Sequence, residues 1–169
     1  MTLFRSATLV AATIAMGLMA GLFYSFTIAV MPALRRSSDR TFVEAMQRIN
    51  VAILNGWFAL AFGGALVLTI LAAATQLPAG ARSVLPWTVA GAVLYLSVLV
   101  ITMRFNVPLN DRLDAAGPPD RIPDLAAVRD GFEAAWVRWN VVRTLACTAA
   151  FGCLTWAVVL HGRLPAIRT

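Results

Sequence analysis

Trp136, Asn140 and Arg143 stand at i, i+4 and i+7 within the stretch 132–143, so a helix there carries an indole, a carboxamide and a guanidinium on one face. The indole offers a flat surface for stacking, the carboxamide two donors and an acceptor, and the guanidinium a rigid fork of donors. Trp139 and Arg138 lie between them. A second concentration is Arg104-Phe105-Asn106-Val107-Pro108-Leu109-Asn110-Asp111-Arg112, where two amides and a carboxylate crowd into a few residues. Asn106 and Asn110 are four apart and can share a face, while Asp111 sits beside Arg112. That is more than helix capping uses, and the three side chains read equally as a site or as structure. Asn50 has the same two readings, as a ligand contact or as an inter-helix hydrogen bond, whereas Asn55 reads as structural.

These residues sit in a repeated phrase. Phe42, Ala45, Arg48, Asn50 and Val51 match Phe132, Ala135, Arg138, Asn140 and Val141 in an F-x-x-A-x-x-R-x-N-V pattern, and both copies lead into an apolar run. Pro32 and Pro108 occupy corresponding places before them. The pattern points to two hairpins of the same sense, related by a pseudo-two-fold axis along a membrane normal. Asn50 and Asn140 then face each other across the bundle at one depth. Asn106, Asn110, Asp111, Trp139 and Arg143 have no polar or aromatic counterpart in the first half, so that is where the copies have diverged.

The elements that hold these residues are apolar. The chain of 169 residues is 60% hydrophobic and 13% charged, beyond what a soluble domain carries. Runs at 7–31, 51–75, 84–103 and 144–160 are each long enough to cross a bilayer as a helix. The first is long for a signal peptide and lacks an A-x-A-like cleavage site. The expected fold is an all-α integral membrane four-helix bundle, a single domain over 1–169. It comprises two parallel-repeat hairpins with short amphipathic headpiece helices at 39–50 and 124–140 on one side. Ser38-Asp39 suits an N-cap for the first headpiece helix, which is expected to run unbroken into the second span. Pro32 is expected to stop or bend the first span, and Pro108 to open a new helix capped by Asn106 or Val107. The stretch 77–80 reads as a turn, and 114–123, with Gly117, Pro118, Pro119 and Pro123, as an irregular linker or lid. From Leu125, Val128, Phe132 and Trp136 follow helical spacing with the charges on the other side.

All 14 cationic residues are Arg, a compositional sign of a GC-rich bacterial genome. The basic balance does not indicate nucleic-acid binding, because the arginines are scattered and interleaved with acids. Arg35, Arg36, Arg40, Arg48, Arg104, Arg112, Arg121, Arg129, Arg138 and Arg143 fall on the headpiece side, against Arg5, Arg82, Arg163 and Arg168 on the other. That bias places the loops in the cytoplasm and both termini outside a bacterial cytoplasmic membrane. Cys147 and Cys153 are six apart with no C-x-x-C, and read as packing residues. His161 is the only histidine and lies at the far end, so no haem ligand or E-x-x-H pair stands in the bundle. Glycine-rich nucleotide motifs are absent, and the expectation is a protein without a metal or dissociable cofactor. Gly17 and Gly21 form a G-x-x-x-G that serves bundle packing, with a homo-oligomer as the alternative.

With Gly21 to Phe26, Val30 to Leu34, Phe42 to Asn50, Asn106-Val107-Pro108-Leu109-Asn110 and Trp136-Val137-Arg138-Trp139-Asn140 with Arg143-Thr144, the chain resembles the anthrone oxygenase family of small four-span membrane proteins. The resemblance implies an oxidoreductase, a monooxygenase that turns an anthrone-like aromatic into a quinone with molecular oxygen as co-substrate and no cofactor. Val141-Val142 stand where fungal relatives carry a histidine between the Asn and the Arg. Such chemistry requires a hydrophobic slot, a base, and donors for the enolate oxygen. Under it Trp136 and Trp139 are the stacking walls, Asn140, Asn50 and Arg143 the oxyanion donors, and Asp111 the base, oriented by Asn106 and Asn110. The partners implied are the lipid bilayer and a small lipophilic aromatic. Two other classes remain: a small-molecule binding or transport protein, and an accessory subunit without catalysis. Against transport stands the position of all eight carboxylates outside the spans.

Overall fold

The computed structural model describes residues 2–77 and 82–164. Beyond Leu77, the turn expected at 77–80 lies outside them, as does Arg168. The described residues are helical, with helices α1 (Thr2–Ser25), α2 (Met31–Arg35), α3 (Asp39–Ala52), α4 (Gly56–Thr75), α5 (Leu85–Ile101), α6 (Val107–Ala115) and α7 (Leu125–Gly162). Four continuous helical stretches are long and apolar enough to cross a membrane: Leu3–Arg35, Gly56–Thr75, Leu85–Ala115 and Leu125–Gly162. The protein is an integral membrane four-helix bundle.

Around the bundle, α1 packs between α4 and α7, and α5 also packs between α4 and α7. The first helices of the two hairpins are therefore diagonal, as are the second helices, which is the arrangement a pseudo-two-fold axis produces. Small residues let the backbones approach. A methyl group on Gly17 would meet Phe151 at 3.0 Å, and one on Gly91 would meet Leu154 at 3.3 Å. Gly17 thus serves packing inside the bundle. Ala12, Ala65, Ala72, Ala150 and Ala157 are fully buried along the same seams, and Cys147 packs among them. Leu18, Val67, Val93 and Leu145 point outward, where lipid receives them. At the far end Ser6 Oγ lies 3.0 Å from His161 Nε2.

Neither proline ends its helix. A proline within a helix lacks the N–H for the carbonyl four residues back, and its ring crowds that carbonyl. The chain answers with one widened π turn ahead of each: Phe26–Val30 before Pro32, and Thr102–Asn106 before Pro108. The Met31 N–H reaches back to the Phe26 carbonyl and the Val107 N–H to that of Thr102, so both turns have the same register. This repeat is stronger than the sequence pattern that suggested it. It also corrects the expected cap at Pro108, since the Asn106 side chain makes no capping bond.

The two hairpins part company after the repeated phrase. Helix α7 runs unbroken for 38 residues, about 57 Å at 1.5 Å per residue, so its first half projects beyond the bilayer core. The equivalent chain in the first half breaks, contrary to expectation. Helix α3 ends at Ala52, and Asn55 caps α4 by accepting from the Phe58 N–H at 3.0 Å. The Asn55 amide also donates to the Ala52 carbonyl at 2.8 Å, pinning the elbow from both sides. Asn55-Gly56 is a helix-start signal that outweighs the apolar continuity around it.

The headpiece has its own core, formed by Met31, Phe42, Val43, Met46, Leu113, Phe132 and Trp136. Arg129, assigned by periodicity to the outer face of its helix, is instead the buried hub of this layer. It bonds Glu133 Oε2 at 2.7 Å, Asp39 Oδ1 at 2.9 Å, and the carbonyls of Arg35 and Ser37 at 2.9 and 3.1 Å. Its guanidinium also lies over the Phe42 ring. Arg35 closes the network on Glu133 at 3.0 Å. The linker is tied down as well: Gln47 donates to the Leu113 and Gly117 carbonyls, and Arg40 pairs with Asp120.

Candidate functional site

A cavity of about 550 Å³ lies where the headpiece joins the bundle. All four spans and both headpiece segments contribute to it. Leu22 and Phe23 come from α1, Ile49 and Asn50 from α3, and Ile53, Leu54 and Asn55 from the elbow. Helix α4 supplies Gly56, Phe58, Ala59, Phe62 and Gly63, α6 supplies Val107 and Asn110, and α7 supplies Trp136, Asn140 and Arg143. The two π turns also reach it, one with Phe26 and the other with Thr102, Met103 and Asn106. A widened turn shifts the side chains around it relative to the helix before it, and such turns recur at functional sites.

Six of the eight residues singled out in the sequence therefore meet on one wall system: Asn50, Asn106, Asn110, Trp136, Asn140 and Arg143. The helical face of Trp136, Asn140 and Arg143 is the face that borders the cavity, and Asn50 and Asn140 both line it. The structure does not bring Asp111 or Trp139 there. Each is the immediate neighbour of a wall residue, and one step along a helix turns a side chain by about 100°. Asp111 is consequently exposed. Trp139 stacks instead on Phe105, centroids 3.7 Å apart, with Arg138 and Arg104 at the flanks.

The polar corner is built around Arg143, which is 6% exposed. Its Nη1 donates to Thr102 Oγ1 at 3.2 Å and its Nη2 to Asn140 Oδ1 at 3.0 Å. Phe23 and Trp136 present ring faces 4.7 and 5.5 Å from the guanidinium carbon. None of the ion pairs among the described residues includes it. Both amide hydrogens of Asn140 are engaged, with the Phe23 carbonyl at 3.1 Å and Thr27 Oγ1 at 2.9 Å. Asn140 thus positions Arg143 and ties α7 to α1. It has no hydrogen left for an oxyanion, which revises its expected role. Trp136 Nε1 donates to Asn110 Oδ1 at 2.9 Å, which fixes the indole as a wall.

Three buried polar atoms on this wall have no partner: Arg143 Nε, Asn50 Nδ2 and Asn106 Oδ1. Two are donors and one is an acceptor, and buried groups of this kind are costly unless something satisfies them. The rest of the lining is aromatic or aliphatic, and it includes the stacked pair Phe58 and Phe62, 5.0 Å apart. No carboxylate or imidazole belongs to the lining. Among the described residues, no three His, Cys, Asp or Glu side chains gather as metal ligands would. The arrangement can hold a flat apolar molecule and place an electron-rich oxygen of it against a buried, permanent cation.

Thr27, Thr102, the elbow and the α4 wall escaped the sequence reading. Only Asn55-Gly56 carried a usable signal. The threonines sit in the π turns, and nothing in an apolar run announces a π turn.

Comparison with known families matches the anthrone oxygenase model to residues 55–153. That range takes in α4, α5, α6 and α7 as far as Cys153, and every wall residue named above from Asn55 onward. No curated protein and no solved structure matches the chain.

Proposed function

This chain belongs to the anthrone oxygenase family, and from that premise we propose that its cavity oxidises a lipophilic, anthrone-like aromatic with molecular oxygen as co-substrate and no resident cofactor. The observation that carries the reading is Arg143, a buried guanidinium with a free Nε and no carboxylate partner on an otherwise apolar wall. A fixed cation in a low-dielectric pocket favours the enolate of a bound ketone over the neutral form, and the enolate is the form that reduces oxygen. Asn50 Nδ2 is the second donor toward that oxygen, and Trp136 with Phe23 and Phe26 the walls against which the rings stack.

The balance is simple. The anthrone gives up a carbon-bound proton to solvent, and the carbanion adds to dioxygen with formation of a C–O bond. The peroxide takes up a proton and loses water, leaving a second ketone, so one anthrone and one O₂ give one quinone and one water. We assign the base to none of the wall side chains. By its arginine bias the headpiece faces the cytoplasm of a bacterial membrane, with both termini outside.

The test is oxygen uptake by the purified protein in lipid nanodiscs with a panel of anthrones, alongside quinone appearance. Equal molar consumption of oxygen and formation of quinone supports the reading. Tight anthrone binding without oxygen consumption would make the protein a binding or transport module instead.

A further inference from the structure

The cavity wall is incomplete on one side. Between the α4 start and the α5 end, the lining residues are small or turned outward: Gly56, Ala59 and Gly63 from α4, with Leu54 and Met103 at the edges. Leu54 and Met103 are 79% and 61% exposed although both border the cavity. Gly56, Ala59 and Gly63 fall on one helical face, and a methyl group added at either glycine would meet no atom within 4 Å. At these three exposed positions the α4 face that borders the cavity carries nothing larger than a methyl group. At the level of Gly63 the two helices are joined, where the Tyr95 hydroxyl donates to the Phe62 carbonyl at 2.9 Å.

The opening lies on the exposed side of the bundle, among residues of two helices apolar enough to cross a membrane. Trp57, 84% exposed beside the elbow, marks the interfacial level at which such residues settle. Ala59 and Gly63 lie further along α4, with Gly63 about 10 Å from Gly56 inside a span free of charge. Outside the opening, a shallow groove lined by Leu99, Val100, Met103 and Arg104 follows α5 and shares Met103 with the cavity.

We propose that the cavity is loaded sideways from the bilayer, through a window framed by Leu54, Ala59, Gly63 and Met103. Its ligand class is then a neutral polycyclic aromatic dissolved in the membrane, not a water-borne one. This rests on the reading of the cavity as a substrate site. The polar corner lies behind the window, with Arg143 Nε and Asn106 Oδ1 unsatisfied on residues more than nine-tenths buried. A ligand arriving from lipid therefore meets apolar walls first and the cation last.

Nitroxide labels at A59C and G63C test this on the full chain in nanodiscs, in a C153A background, with V67C on the lipid face as control. C153A without an added cysteine controls for uptake of label by buried Cys147. Dissolved oxygen reports lipid and a neutral nickel chelate reports water. Labels at 59 and 63 should relax severalfold more with oxygen than with the chelate. Anthraquinone, which cannot turn over, should reduce that effect at 59 and 63 but not at 67. Preference for the chelate at 63, indifference to both reagents, or no response to anthraquinone overturns the proposal. The two readings fail separately. Lipid-exposed labels that anthraquinone protects, with no oxygen uptake on anthrones, leave the window and remove the oxygenase. Oxygen uptake with labels in water does the reverse.

Discussion

Arg143 Nη2 donates to Asn140 Oδ1 at 3.0 Å across one turn of α7, while both hydrogens of the same amide are held by Phe23 and Thr27 of the first hairpin. The cation of the cavity is therefore aimed by a residue that is itself fastened to another span. Removing the two side chains should not be additive. A cycle of N140A, R143M and the double variant is expected to show a coupling of about 1–3 kcal/mol in unfolding free energy, because the Asn140 Oδ1 left without its guanidinium is a buried, unpaired acceptor. A coupling near zero would show that the two groups act independently.

Arg143→Gln keeps a donor and much of the volume but removes the charge. If the cation stabilises an enolate, kcat/KM for an anthrone should fall by about 10²–10³, with oxygen and quinone measured together. R143K retains charge on a flexible stem without the planar fork and should recover only part of the loss. Wild-type turnover in R143Q would sink the oxyanion assignment.

Asp111 and Asn106 separate geometry from sequence position. Asp111→Asn should leave kcat/KM within about twofold, as for a surface substitution away from a site. Asn106→Ala removes the unpaired acceptor on the wall and should raise KM by about tenfold, the worth of roughly one hydrogen bond. The reverse ranking, in steady-state assays of both variants, would restore the carboxylate as the base.

Glu133 should give the headpiece an acid limit. Burial raises its pKa, but the hydrogen bonds from Arg129 and Arg35 and the charge of those arginines outweigh this, so the folded value lies below the ordinary 4.5. A depressed carboxylate contributes stability that is complete above its unfolded pKa and disappears as pH falls through the folded one. The unfolding midpoint should therefore drop as pH is taken from about 5 downward, and E133Q should flatten that slope while lowering the neutral-pH value. R129M, which takes the arginine from Asp39 and leaves Glu133 with Arg35 alone, should cost about 1–3 kcal/mol at neutral pH.

The architecture was legible because the bilayer imposes it. A charge-poor run has to be a helix of set length, and four runs with a repeated phrase leave few arrangements. The face of Trp136, Asn140 and Arg143 was legible for a similar reason, since helical spacing fixes a shared direction. What failed was the step from a cluster to a wall. Asp111 and Trp139 are chemically the most conspicuous members of their stretches, yet each is turned away by one residue of helical rotation. Arg129 failed in the opposite direction: its periodicity said surface, but two carboxylates and two carbonyls from neighbouring elements made a buried place for it. The π turns had no sequence sign beyond Pro32 and Pro108, and it is they that bring Phe26, Thr102 and Asn106 to the cavity.

Asn55 shows how a structural residue can govern the site without touching chemistry. Its side chain caps α4 through Phe58 N–H and holds the Ala52 carbonyl, so it fixes the angle between headpiece and span. The equivalent chain in the second hairpin has no such break, and the elbow supplies one rim of the cavity. Asn55→Ala should cost about 1 kcal/mol from the lost cap, read as a lower unfolding midpoint. Asn55→Asp, which still accepts from Phe58 but cannot donate to Ala52, should recover the cap while leaving the elbow loose. The expected signature is near wild-type stability for N55D together with weakened anthraquinone binding in a fluorescence titration. Equal binding by N55D and the wild type would show that the α3–α4 angle does not set the cavity.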